Sequence, residues 1–167
     1  FLKNDFKISS EGVNEVNSYC GSYLPNWRPQ KDYRHVYSSI KKLGGGVHID
    51  LIHEPDYLSY LFGLPIKSIV KNKKVSSLEI DSMDSASIYF LYENFQAHIF
   101  LNYFRRDSKR TLEIVREKDT IFVDFLKGTV TELVANKVIY KTSSNSIYHS
   151  YKKQMQYFLD CIKNNKK

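Results

Sequence analysis

The sequence predicts an α+β fold, with a largely antiparallel, open β-sheet and helices packed on one face. Several segments alternate between apolar and polar residues, as half-buried strands do. Connections as short as Lys118-Asp119 and Lys127-Gly128 separate them, and turns of this length join only antiparallel neighbours. The chain has 167 residues, of which 42% are hydrophobic, which is enough for a buried core. We therefore predict a single domain over residues 1–167.

The first part of the chain is predicted to run from a strand to a glycine-rich turn. Residues 13–23 form the strand, and the loop Leu24-Pro25-Asn26-Trp27-Arg28-Pro29 follows it. A polar stretch over residues 32–42 then leads to Gly44-Gly45-Gly46. This order places an aromatic and basic loop before the glycines.

Two helices are predicted. Residues 47–62 are dense in apolar side chains and stop at Gly63, with Pro65 beyond, which is a typical helix end. Pro55 has no amide proton for the helical hydrogen bonds, so we expect a kink or a break there. The second helix starts near residue 147 and closes the chain. Its apolar residues share one face: Tyr151, Met155, Phe158, Leu159 and Ile162.

The strands are predicted between these helices. Residues 66–75 form the first of them. Residues 86–92 and 95–104 form a hairpin about Glu93-Asn94, because asparagine tolerates the conformation that a tight turn demands. The remaining strands are predicted at residues 110–116, 120–126, 129–134 and 138–141.

Composition and charge narrow the class of protein. The formal net charge is +7, but the lysines are scattered between strand segments and in the terminal tail, so we predict a solvated surface and no nucleic-acid partner. Two cysteines are too few for a disulfide framework. We find no secretory leader and no apolar run long enough to span a bilayer, and we predict a cytoplasmic protein without a membrane partner. Because the chain begins at Phe1, we expect it to be part of a longer protein.

The candidate chemistry is concentrated at residues 44–57. At about 100° per residue, Asp50, His53, Glu54 and Tyr57 fall on one side of the first helix. A glycine run lets the backbone approach a ligand closely, and a carboxylate one turn from an imidazole favours a general base near neutral pH. The alternative is that Asp50 and Glu54 complement the helix dipole and His53 is a surface residue.

The segment GGGVHIDLIHEPDYLSYLFGLP resembles the signature of the Gfo/Idh/MocA oxidoreductase family, which includes glucose–fructose oxidoreductase and inositol dehydrogenase. GSYLPNWRPQKDYRHVYS resembles the substrate-side loop of one subgroup, and YKKQMQYFLDCI resembles the closing helix. The resemblance implies that His53 exchanges the proton of a substrate hydroxyl while a hydride moves to or from the nicotinamide of NAD or NADP. Asp50 would orient or polarise the substrate. Many members space this pair by four residues, whereas Asp50 and His53 are three apart.

The resemblance also implies a second domain. In this family an N-terminal Rossmann domain with a glycine fingerprint binds the dinucleotide, and none of the seven glycines here forms that fingerprint. We therefore expect the cofactor domain to be absent from this chain, which alone would neither hold NAD(P) nor turn over. Gly45 and Gly46 are predicted to contact the cofactor at its edge only.

The expected substrate is a sugar, nucleotide sugar or polyol. Arginine offers a planar fork for a carboxylate or phosphate, and aromatic rings can stack on a sugar. Trp27 and Tyr33 could equally seal the loop against the sheet. The predicted substrate contacts are Tyr23, Trp27, Arg28, Tyr33, Arg34, Glu54 and Tyr57.

Two other functions stay open. A non-catalytic oligomerisation or carbohydrate-binding module would use the open face of the sheet, and we predict a homo-oligomer through that face if Phe90, Tyr92, Phe100 and Phe104 are exposed there. A metal-dependent oxygenase would use a different set of side chains: His48, Asp50 and either His98 or His149. The main prediction assigns no metal.

Overall fold

The structure is a computed structural model that describes residues 8–141 and 147–164. Its eight strands form one sheet in the order β2-β3-β4-β1-β5-β6-β7-β8. Every neighbouring pair is antiparallel except β1 and β4, which run parallel, so the predicted α+β fold with a largely antiparallel sheet is confirmed. The strands are β1 (Val13–Tyr23), β2 (Lys67–Lys73), β3 (Ser85–Leu91), β4 (Gln96–Asn102), β5 (Phe104–Arg116), β6 (Thr120–Asp124), β7 (Thr129–Glu132) and β8 (Lys137–Lys141).

Within the described residues, three α-helices accompany the sheet: α1 (Val47–Asp50), α2 (His53–Phe62) and α3 (Ile147–Lys163). Short 3-10 turns fill the segment between β1 and α1. Alternate residues of a strand point to the same face of the sheet, and in the central strands these residues are fully buried. The core therefore lies on one side of the sheet. Its fully buried residues include Val16, Ile99, Leu101, Leu112 and Ile114.

The first predicted helix is interrupted, but not at the expected residue. The structure breaks it at Leu51 and Ile52, between α1 and α2, whereas the sequence predicted the break at Pro55. Leu51 leaves the helical region, with φ −105° and ψ 26°. Pro55 is the third residue of α2, where the missing amide proton costs little because the first-turn amides have no partner within the helix.

The hairpin about Glu93 and Asn94 is confirmed, but the strand after it ends earlier than predicted. β4 stops at Asn102, and Tyr103 turns inward and is fully buried. The side-chain oxygen of Asn102 accepts the amide proton of Arg105 at 3.1 Å, a local turn that asparagine favours. β5 therefore begins at Phe104, six residues before the predicted strand at Arg110.

The open face of the sheet carries stacked rings. Tyr89 stacks on His98 with ring centroids 4.5 Å apart, and Tyr19 stacks on Phe100 at 5.7 Å. Phe90, which the sequence placed on this face, is buried in the core because it lies on the opposite side of β3 from Tyr89. Tyr92 and Phe104 pack against the core as well. Homo-oligomer formation through this face stays a prediction.

The closing helix is confirmed as α3. All five apolar residues predicted for its single face are exposed: Tyr151, Met155, Phe158, Leu159 and Ile162. Among the described residues, no helix combines the length and the apolar character that crossing a lipid bilayer requires.

Candidate functional site

The glycine run before α1 is explained by close backbone packing. A side chain at Gly45 would collide with the carbonyl oxygens of Tyr37 and Ser38. Gly46 has a φ of 144°, which L side chains rarely adopt, and a Cβ there would lie 2.8 Å from the His48 ring. Both glycines are buried. Their predicted contact with a cofactor edge stays a prediction.

Asp50 ends α1 and is held by Tyr103, the fully buried residue between β4 and β5. The Tyr103 hydroxyl donates a hydrogen bond of 2.6 Å to Asp50 Oδ2. Burial, together with this carboxylate, raises the pKa of Tyr103, so the phenol stays protonated and keeps donating. The Tyr103 ring also meets Trp27 edge-on, with centroids 5.3 Å apart. Asp50 is thus fixed next to the aromatic loop that follows β1.

We predict that Tyr103→Phe destabilises the fold by about 1–2 kcal/mol, because it deletes a charge-assisted hydrogen bond from a buried donor. The free energy of unfolding, measured by urea titration, tests this. Tyr151→Phe is the matched control, since Tyr151 is exposed on α3. Equal stability of Tyr103→Phe and the wild type would contradict the hydrogen bond to Asp50.

His53 opens α2 and its carboxylate partner is Glu54. Its side chain is 47% exposed, and Nε2 lies 3.2 Å from Glu54 Oε1. A carboxylate at this position stabilises a proton on Nε2, which leaves Nδ1 as the nitrogen that can accept one. The sequence paired His53 with Asp50 instead. The helix break lies between these two residues, and Asp50 accepts a hydrogen bond from Tyr103.

Glu54 is fully buried, and both of its oxygens are occupied. Arg110 Nε donates to Oε1 at 2.7 Å, and Ser18 Oγ donates to Oε2 at 3.2 Å. The Tyr57 hydroxyl lies 2.9 Å from the same Ser18 oxygen. Burial acts to raise the pKa of Glu54, but the hydrogen bond from His53 and the charge of Arg110 outweigh it and lower that pKa. Glu54 is therefore ionised at neutral pH.

A cavity of about 350 Å³ opens beside His53. Tyr23 and Trp27, from the end of β1 and the loop after it, form one side of its lining. Cys20 and Arg110 contribute from the paired strands β1 and β5. The predicted base therefore faces a space that aromatic and basic side chains surround.

Solved structures share this architecture at low sequence identity. The UDP-N-acetylglucosamine 3-dehydrogenase GnnA from Acidithiobacillus ferrooxidans is 16% identical, with a TM-score of 0.67 over 92% of this chain and 46% of that one. The fold is that of the C-terminal domain of Gfo/Idh/MocA oxidoreductases. No protein-family model matches the sequence, and no curated protein matches it.

Two further structures with this Gfo/Idh/MocA fold hold the cofactor. The WlbA dehydrogenase from Bordetella pertussis, in complex with NADH and UDP-GlcNAcA, is 14% identical with a TM-score of 0.54 over 68% of this chain and 35% of that one. An inositol dehydrogenase homolog from Azotobacter vinelandii, complexed with NAD+, is 12% identical with a TM-score of 0.59 over 84% and 37%. The chain thus spans less than half the length of each of these three proteins.

Within this fold, the structure separates the predicted substrate contacts into two groups. Tyr23 and Trp27 line the cavity with His53. Arg34 instead forms ion pairs with Asp32 at 2.8 Å and Glu79 at 3.1 Å on the surface.

Three of the other predicted contacts have partners within the protein. The Tyr33 hydroxyl accepts the amide proton of Glu79 at 3.3 Å, and Arg28 lies over the Tyr37 ring at 5.2 Å. Tyr57 packs against Phe125, with centroids 5.6 Å apart. None of these three is among the residues that line the cavity.

Glu54 corrects the expectation of a direct substrate contact. Glu54 has no exposed surface and is not among the residues that line the cavity; it lies beneath His53 with Arg110 behind it. Its Oε1 lies 3.2 Å from His53 Nε2, so it contacts the imidazole from the buried side. Any effect of Glu54 on a substrate would pass through His53.

Sequence reasoning missed Cys20, Tyr103 and Arg110. Cys20 was considered as one of two cysteines that are too few for a disulfide framework, and Arg110 only as the start of a strand. The sequence does contain one indication for Arg110. Residues 110, 112 and 114 lie on the same face of β5, and Leu112 and Ile114 are buried, so a charged residue on that face needs a partner of opposite charge. No local signal marks Tyr103, because its partner Asp50 lies far away in the chain.

The oxygenase alternative gains no support from the described residues. Asp50 is bound by Tyr103, and His98 lies on the open face against Tyr89. His48 Nδ1 is buried without a hydrogen-bond partner. In the part of the chain that the structure describes, these three do not form a cluster of close metal-ligand atoms, and the side chain of His149 lies outside that part.

Proposed function

We propose that this chain supplies substrate binding and acid–base catalysis to an NAD(P)-dependent oxidoreductase that acts on a hydroxyl of a sugar, nucleotide sugar or polyol. One observation carries the proposal: His53 is half exposed at a cavity and is paired with the buried, ionised Glu54. The fold that the chain shares with dehydrogenases supports it.

His53 is proposed to move the hydroxyl proton. During oxidation, Nδ1 accepts that proton while a hydride leaves the same substrate carbon; during reduction, it returns the proton. The nicotinamide, when bound, takes up or supplies the hydride. Glu54 stabilises the imidazolium that forms, and Arg110 keeps Glu54 ionised. Asp50, fixed by Tyr103, is proposed to orient the substrate.

The described residues fit the substrate side of this reaction and not the phosphates of a dinucleotide. Pyrophosphate binding needs a glycine-rich turn that leads directly from a strand into a helix N-terminus. Here Gly44 follows a 3-10 turn, and the glycines after it lie packed against backbone and against His48. We therefore propose that a separate domain binds NAD or NADP, which the partial coverage of the matched dehydrogenases supports.

The charge of the cavity favours an anionic substrate. Its lining contains Lys109 and Arg110, and no aspartate or glutamate is among the described residues that line it. Lys109 of β5 pairs with Gly21 of β1, and its Nζ lies 5.1 Å from the centroid of the Tyr19 ring; Lys109 lines both this cavity and the neighbouring one that includes Tyr19. A uronic acid or a nucleotide sugar carries the matching negative charge.

We expect Lys109→Met, in the complete enzyme, to raise KM for a uronic acid or nucleotide sugar about tenfold while kcat changes little, because one charge-assisted contact is lost. Initial rates of NAD(P) reduction with a panel of anionic and neutral sugars measure this. Lys127→Met is the control, since Lys127 pairs with Asp124 on the exposed turn after β6. Turnover of neutral polyols alone, unaffected by Lys109→Met, would contradict an anionic substrate.

A further inference from the structure

Three potential metal ligands converge beside the cavity. Cys20 Sγ, an imidazole nitrogen of His53 and a carboxylate oxygen of Glu54 all lie within 4.8 Å of one another. Within the described part of the chain, this is the one place where three histidine, cysteine or acidic side chains approach so closely. β1 supplies the cysteine, and the first two residues of α2 supply the others.

The spacing of these atoms is close to that of a tetrahedral zinc site. Bonds of about 2.0–2.1 Å to nitrogen and oxygen put the two ligand atoms roughly 3.3 Å apart. His53 Nε2 and Glu54 Oε1 are 3.2 Å apart. A sulfur bonded at about 2.3 Å belongs roughly 3.6 Å from either of them, and the three ligand atoms here lie within 4.8 Å of one another, so Cys20 Sγ would need to move by roughly 1 Å.

The surroundings permit a fourth ligand. Cys20 and Glu54 are buried, whereas His53 is half exposed, and both Cys20 and His53 line the cavity of about 350 Å³. Three protein ligands with one side open to solvent is the arrangement of zinc sites that keep a water or a small anion bound. A thiolate and an imidazole select a soft or borderline ion and disfavour Ca²⁺ and Mg²⁺.

We propose that Cys20, His53 and Glu54 bind Zn²⁺, with the fourth coordination position open to the cavity. Thiolate and carboxylate together neutralise the two charges of the ion. Arg110 can keep its hydrogen bond to Glu54, because a carboxylate oxygen has two lone pairs. The lone pair that faces His53 becomes available for the metal when Nε2 itself becomes a ligand.

Binding releases a proton from the thiol. Burial, followed by the charge of Glu54, raises the pKa of Cys20 to about 12, so the metal-free protein holds a protonated thiol at neutral pH. The ion must displace that proton, as metals do at cysteine ligands. Bound zinc would also occupy the imidazole. Zinc bound there would block proton transfer by His53, and this consequence rests on the proposed function. Zinc binding itself does not rest on it.

Co²⁺ is the probe that tests the site, because cobalt bound to a thiolate gives a sulfur-to-metal charge-transfer band in the near ultraviolet. We expect one Co²⁺ per chain in the purified protein, with a band that added Zn²⁺ abolishes. Cys20→Ser should remove the band. His53→Asn should weaken Co²⁺ binding about tenfold or more, and this variant is expected to fold because the side chain is half exposed.

Cys161→Ser is the matched control, since Cys161 is the second cysteine and lies on α3. It should leave the band unchanged. Loss of the band in Cys161→Ser, its survival in Cys20→Ser, or the absence of stoichiometric binding would each overturn the proposal. Co²⁺ binding without the thiolate band, retained in Cys20→Ser and lost in His48→Ala, would overturn the proposal and point to the His48 and Asp50 site. Circular dichroism of each variant confirms that the fold is retained.

Discussion

His53→Asn in the complete oxidoreductase is expected to lower kcat about 100-fold or more, the usual effect of removing a positioned acid–base group. Asparagine keeps a polar side chain next to Glu54 but accepts no proton at neutral pH. Because His53 is half exposed, the substitution should change the free energy of unfolding little. The measurement is single-turnover reduction of NAD(P), which separates the chemical step from product release.

His35→Asn is the matched control for this experiment. His35 is largely exposed and its nearest charged partner, Asp32, lies 3.8 Å away on a surface turn. It should retain wild-type turnover. Near-normal turnover in His53→Asn would remove His53 from the mechanism and would favour a binding module that uses the same cavity without catalysis.

The sequence predicted the strands well where local signals are strong. The bounds of β1 agree at both ends, because its buried residues alternate and the proline-containing loop terminates it. The hairpin between β3 and β4 follows from Glu93 and Asn94. The start of β5 was missed because Arg105, Arg106 and Asp107 look like a loop; they pair with each other or with tyrosine rings at the surface.

The candidate site shows where periodicity stops being informative. A single helix places Asp50 and His53 on the same face, but that argument requires about 100° per residue without interruption. Leu51 and Ile52 leave the helix, so the rotation between Asp50 and His53 is set by a turn. The pairing of His53 with Glu54, and of Asp50 with Tyr103, depends on tertiary contacts that no local pattern encodes.

Glu54 and Arg110 join helix α2 to strand β5 through one partly buried ion pair. The carboxylate has no exposed surface, and the arginine side chain is about one-third exposed. A buried charge without its partner keeps its full desolvation cost, whereas the pair offsets much of that cost. The ion pair therefore matters more to stability than the surface pair of Arg34 and Asp32.

Arg110→Met should destabilise the protein by about 2–3 kcal/mol at pH 7, less than the full value for a wholly buried pair because solvent reaches Arg110. Methionine preserves most of the apolar part of the arginine side chain. The decrease in the free energy of unfolding therefore reports mainly on the Glu54 carboxylate, which is left buried without a partner. Arg34→Met, which breaks an exposed ion pair, should change the free energy of unfolding far less. The double variant Arg110→Met/Glu54→Gln should recover part of the loss, because no buried charge remains. Urea unfolding of all four proteins gives these values.

The pH dependence of the Arg110→Met effect has a definite sign. The pKa of Glu54 is lowered in the folded protein, since Arg110 and His53 outweigh the effect of burial. A lowered carboxyl pKa stabilises the fold above the unfolded-state value of about 4.3, and that stabilisation is lost as the pH falls through the folded value. The stability difference between wild type and Arg110→Met should therefore be full at pH 7 and shrink in acid. A difference that is independent of pH would mean that Arg110 stabilises the fold by packing, and that the charge of Glu54 does not depend on it.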